Sequence, residues 1–114
     1  MARTALSVQS SSKSGLSATY SAADATNGML FTNDGGIFLH VKNGGAGSIN
    51  VTITSVPCSH GRTEDQIVSI GAGADEFIGP FKKELFNQKS GTDVGKVYVD
   101  FDIDTSVTLA AIKL

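Results

Sequence analysis

Three aspartates alternate in Asp100-Phe101-Asp102-Ile103-Asp104, the D-x-D-x-D spacing that opens a calcium-binding loop. The match ends there. The sixth position is Thr105, where glycine makes the sharp turn, and the twelfth is Ala111, where a bidentate glutamate completes the ligand set. On an extended strand the three carboxylates share one wet face, while Val99, Phe101 and Ile103 share the other. Cys58-Ser59-His60 sets a thiol near an imidazole. Residues that close in sequence do not form a nucleophile and base of the papain type, whose members come from separate elements. His40 falls on a strand beside Phe38 with no third polar partner apparent. Gly71-Ala72-Gly73 lacks the third glycine and following helix of a dinucleotide-binding turn. Neither it nor Gly44-Gly45 is followed by the Lys-Ser/Thr of a phosphate-binding loop, and no G-x-S-x-G elbow is present. The sequence assigns no catalytic, cofactor-binding or metal-ligating residue, and the expectation is a protein that is not an enzyme.

One segment stands out for contact rather than catalysis. Phe77-Ile78-Gly79-Pro80-Phe81-Lys82-Lys83-Glu84-Leu85-Phe86 holds three of the chain's six phenylalanines around a chain break. Apolar groups on such a connection either fold back as a lid on the core or stay exposed as interface anchors. The N-terminal stretch from Ala2 to Gln9 is the second candidate, with Leu6 and Val8 on one face and a Ser-rich hinge, Ser10 to Gly15, behind it. This arm packs either on its own domain or on a neighbour. The candidate partner contacts are Arg3, Leu6, Val8, Phe81, Lys82 and Phe86.

The elements that position these residues are strands. Period-two alternation bounded by Gly, Asn, Asp and Pro recurs along the chain, most clearly in Ile49 to Val56, where Ile49, Val51 and Ile53 face one way and Asn50, Thr52 and Thr54 the other. Met29-Leu30-Phe31 and Ile37 to Lys42 flank Asn33-Asp34-Gly35-Gly36, a pattern that predicts a hairpin. Further strands are predicted at Gln66 to Ile70, Glu76 to Ile78, Lys96 to Ile103 and Ser106 to Ile112. A short strand is expected near Thr19-Tyr20, and one helical turn or an irregular loop at Phe81 to Gln88. About eight short strands and no amphipathic helix predict an all-β, single-domain β-sandwich or jelly-roll-like barrel. The expected division is an arm and hinge over 1–15 and the sandwich over 16–114.

Composition narrows the function classes. At 114 residues with 40% hydrophobic and 18% charged content, the chain supports one core and lacks the signature of disorder. Nine basic residues are scattered along a chain of net charge -2, so no block concentrates positive charge as phosphate binding requires, and no nucleic-acid partner is expected. A single cysteine rules out an intramolecular disulfide and fits synthesis in a reducing cytoplasm. No signal-peptide-like stretch opens the sequence and no apolar run is long enough to span a bilayer as a helix, so no membrane partner is expected.

The blocks Asn33 to Gly45, Asp75 to Phe81 with Leu85-Phe86-Asn87-Gln88, and Lys96 to Phe101 resemble small proteins of tailed bacteriophages encoded near the major capsid protein. The resemblance runs from about Ala25 to Ile112 and is one of short blocks rather than of a chemical motif. It implies a head decoration, or cement, protein: a β-sandwich or jelly roll on the capsid exterior, often trimeric, made in the host cytoplasm and tying neighbouring major capsid subunits together. A head-tail connector or tail protein, and a carbohydrate-binding β-sandwich, are the alternatives. The last is weakened by the absence of Trp and the presence of only Tyr20 and Tyr98. On the decoration reading, removing Met1 to Ser10 is expected to abolish capsid binding and leave a folded domain.

Overall fold

The computed structural model describes residues 3–56, 65–89 and 91–113; Pro57, Cys58, Ser59 and His60, on which the strand end and the thiol–imidazole reading fall, lie outside them. The strands are β1 (Thr4–Ala5), β2 (Val8–Ser10), β3 (Ser21–Ala22), β4 (Met29–Thr32), β5 (Ile37–Asn43), β6 (Ile49–Ile53), β7 (Gln66–Ile70), β8 (Asp75–Ile78), β9 (Lys96–Phe101) and β10 (Val107–Lys113). A single helical turn, α1 (Lys83–Phe86), lies between β8 and β9. They form two sheets, ordered β1-β4-β9-β6-β7 and β2-β10-β5-β8, with β3 also paired to β10. The chain is an all-β sandwich, as its alternation predicts.

The eight strands β3 to β10 lie in the orders β3-β10-β5-β8 and β4-β9-β6-β7 with every pairing antiparallel, the winding of a jelly roll. From β3 onward only β6 and β7 are sequential neighbours in one sheet; every other step crosses the sandwich. The expected hairpin at Asn33–Gly36 is therefore corrected. The chain does bend at Gly35 and Gly36, with Gly35 at φ +96°, but β4 pairs with β9 and β5 with β10 and β8. Alternation places Met29 and Phe31, Leu39 and Val41, Val97 and Val99 in the space between sheets, all at most 1% exposed. The strand expected to reach Ile103 stops at Phe101, and Ile103 turns out to solvent instead of joining Val99 and Phe101 inside.

The N-terminal segment packs on its own chain. β1 runs parallel to β4, β2 runs parallel to β10 with Val8 opposite Ala111, and between them Leu6 donates its backbone N–H to the Leu30 carbonyl at 2.8 Å. Leu6 is 5% exposed in the core cluster. The segment thus stitches the two sheets together along one side, and removing Met1 to Ser10 strips out a core residue and two ladders. These contacts set against the expectation of a surviving folded domain an expected loss of stability in that deletion.

Candidate functional site

The side of the sandwich opposite the N-terminal stitch ends on β7 in one sheet and β8 in the other. Between them opens a cleft of about 370 Å³, lined by Gln66, Val68, Glu76, Ile78, Phe81 and Phe86 among others. Inward-facing Val68 and Ile78 form its walls and the Phe81–Phe86 connection its floor. Phe81 packs on Phe31 with ring centroids 5.7 Å apart and on Phe86 at 5.5 Å, and is 3% exposed. Of the two courses open to this aromatic segment, Phe81 takes the lid.

Two polar devices hold that floor in place. Asn33 donates its amide to the Phe81 carbonyl at 3.0 Å and to Asn87 Oδ1 at 2.6 Å, and Asn87 donates back to the Asn33 carbonyl at 3.0 Å. Both asparagines are buried, so each needs the other to replace lost water. Gly79, at φ +125°, lets the chain pass so close to β5 that a Cβ there would stand 3.0 Å from the Phe38 Cα. Only glycine fits both that backbone and that gap.

At the rim of the cleft, β8 also turns a side chain the other way. Phe77 points from the outer face of its sheet and is 67% exposed, while Ile67 on β7 is 60% exposed on the outer face of the opposite sheet. Phe77 stacks on His40, centroids 4.1 Å apart and 12° from parallel, and meets Phe38 edge-on. His40 in turn hydrogen-bonds Asp75 Oδ2 through Nε2 at 2.6 Å and the Tyr20 hydroxyl through Nδ1 at 2.7 Å. With Nε2–H donating to the carboxylate, Nδ1 accepts from the phenol, and both ring nitrogens are occupied. Lys42 lies over the Tyr20 ring at 4.1 Å. The group fastens Tyr20 and the chain leading to β3 onto the sheet.

The predicted contact residues divide between the two sides. Phe81 and Phe86 line the open cleft, and exposed Lys82 stands at the start of α1. Arg3, Leu6 and Val8 lie on the far side. Arg3 is engaged within its own chain, bidentate to Asp100 at 2.9 and 3.2 Å and 4.1 Å over the Tyr98 ring. The Tyr98 phenol donates to Asp93 at 2.6 Å, and that carboxylate raises the phenol above its ordinary pKa against the opposing pull of Arg3. Leu6 is enclosed and Val8 half-buried, so the Leu6 side chain is not displayed to a partner.

The acidic alternation is likewise taken up in the fold. Asp100 holds Arg3, Asp102 accepts from the Asn50 N–H at 2.9 Å, and Asp104 accepts from the Ala25 N–H at 2.9 Å. Among the described residues no group of three or more His, Cys, Asp or Glu is placed to hold a metal ion. No described helix is long and apolar enough to cross a membrane.

Sequence reasoning missed Phe77 and Ile67 as the exposed pair, and it missed the partners of His40. The alternation of Asp75, Glu76, Phe77 and Ile78 does put Phe77 opposite in face to Ile78, which is the feature that identifies it. Comparison of the chain with family models, curated proteins and solved structures returns no match.

Proposed function

We propose that this chain is a non-enzymatic assembly module, a head decoration protein that binds the outside of a tailed-phage capsid as a trimer and ties neighbouring major capsid subunits together. The observation that carries the reading is the asymmetry of the sandwich: one side is stitched shut, the other exposes an apolar-walled cleft between two sheet edges flanked by Ile67 and Phe77. Large exposed apolar side chains around a groove suit a contact surface. The block resemblance supplies the partner, and a repeating lattice multiplies a modest contact into firm attachment.

The test is co-sedimentation of the purified chain with heads of the source phage that lack it. The chain pellets with heads and saturates at a number set by the capsomers; a chain left in the supernatant, or found only with tails, overturns the reading. One observation favours a second reading: the exposed Phe77 ring beside Asp75 has the form of a sugar-stacking platform. A glycan array decides that one.

A further inference from the structure

Exposed sheet edges invite pairing with other chains, and folded proteins blunt them with short strands, charges or proline. Most edges here are blunted. β1 has 2 residues, β2 has 3 and β3 has 2. β8 carries Asp75 and Glu76 and runs straight into Gly79-Pro80. β7 has none of these protections: Gln66-Ile67-Val68-Ser69-Ile70 is 5 residues long, uncharged, and free of glycine and proline.

The register shows which of its groups are free. The Asn50 carbonyl accepts from Asp102 N–H at 3.3 Å and Thr54 N–H donates to the Tyr98 carbonyl at 3.1 Å, so even-numbered residues of β6 turn their main chain to β9. Odd-numbered Ile49, Val51 and Ile53 turn theirs to β7, where they face Ile70, Val68 and Gln66. Ile67 and Ser69 therefore aim their N–H and C=O groups off the sheet, and no described residue pairs with them. An added strand bonded there would point alternate side chains into the cleft over Phe81 and Phe86.

We infer that β7 is a docking edge for an extended segment of another protein, one with apolar residues at alternate positions and a lysine or arginine among them. Charge selects this occupant. Among the described residues Glu76 is the one charged side chain lining the cleft, and exposed Asp65 and Asp75 stand at the ends of the two strands that frame it. A second copy suits the edge poorly, because two chains joined through β7 bring their Asp75-Glu76 strands toward each other. A single extended segment carries no such repulsion. The inference rests on the proposed function only for the identity of the partner, the capsid subunit; the edge itself rests on the geometry.

Two variants isolate the edge. Ser69→Pro removes an outward N–H without touching a β6 bond, and Ile67→Lys adds the charge that blunts natural edges. A displayed library of ten-residue peptides is selected on the wild-type chain, and the selected pool is then assayed on both variants, whose urea midpoints are measured alongside. Expected are peptides alternating apolar residues and carrying Lys or Arg, binding at least tenfold more weakly to each folded variant. A pool without alternation, no enrichment, or equal binding to Ile67→Lys overturns the inference, as does a wild-type dimer that Ile67→Lys disperses. Heads are tested in parallel. Peptide discrimination without head binding leaves the edge standing and removes the capsid reading; head binding unchanged in both variants removes the edge as the capsid contact.

Discussion

Leu6→Ala separates an N-terminal stitch from a detachable arm. Leu6 is 5% exposed, and its side chain belongs to the same cluster as Met29, Phe31 and Leu109. Truncating a buried leucine costs about 2–5 kcal/mol, the lower part applying where the surroundings can settle into the gap. Leu6 sits at the crossover between two short strands, where such settling is easiest, so about 2–3 kcal/mol is expected. For a domain near this size each kcal/mol moves the melting temperature by roughly 4 °C, giving a fall of roughly 8–12 °C. Urea and thermal unfolding of Leu6→Ala beside Arg3→Ala make the measurement. Arg3→Ala loses a part-exposed ion pair worth roughly 0–1 kcal/mol, and sets the scale for a surface change in the same segment. A Leu6→Ala cost below about 0.5 kcal/mol, the range of ordinary surface substitutions, would refute the stitch.

Asn87→Ala takes the Oδ1 acceptor from the Asn33 amide and the amide donor from the Asn33 carbonyl and is expected to cost about 2–3 kcal/mol in urea unfolding; a neutral result means the floor of the cleft is not clamped there. Gly79→Ala forces a Cβ to within 3.0 Å of the β5 backbone at φ +125° and is expected to destabilise by about 2–4 kcal/mol. Thermal melts check it. Acid acts through two carboxylates: the hydrogen bond from Lys113 lowers the pKa of Asp34, and those from Thr4 and Asn27 lower that of Asp24. Lowered values mean that the fold favours the ionised forms. Their stabilisation is present above the ordinary carboxylate range, roughly pH 4, and is lost as the pH falls through the lowered values. Urea midpoints between about pH 6 and pH 2 should fall, and less steeply in Lys113→Met; an unchanged slope in that variant contradicts the assignment.

Fold class was legible because alternation is a local consequence of strand geometry, as in Ile49, Val51 and Ile53, which all face inward. Strand partnership was not. The Asp34-Gly35 step has the same chemistry whether it joins neighbours in one sheet or carries the chain across the sandwich, and burial of distant strands decides between them. His40 shows the same limit, since Tyr20 and Asp75 reach it from 20 and 35 residues away. Phe77 and Phe81 are alike in type and close in sequence, yet strand register turns one outward while the Asn33–Asn87 clamp draws the other in. Leu6 was recognised as apolar and periodic, but whether it faces its own core or a neighbour depends on the free edges of β4 and β10, elements far along the chain.

On the proposed function the chain works by attaching its open β7–β8 side to a capsid. Electron cryo-microscopy of the native particle is the decisive measurement. Trimers of the sandwich are expected on the outer face of the head, with the cleft between Ile67 and Phe77 turned to the capsid and an added strand along β7. Density for the chain in tail rings, or on heads with this side facing solvent, would contradict that reading.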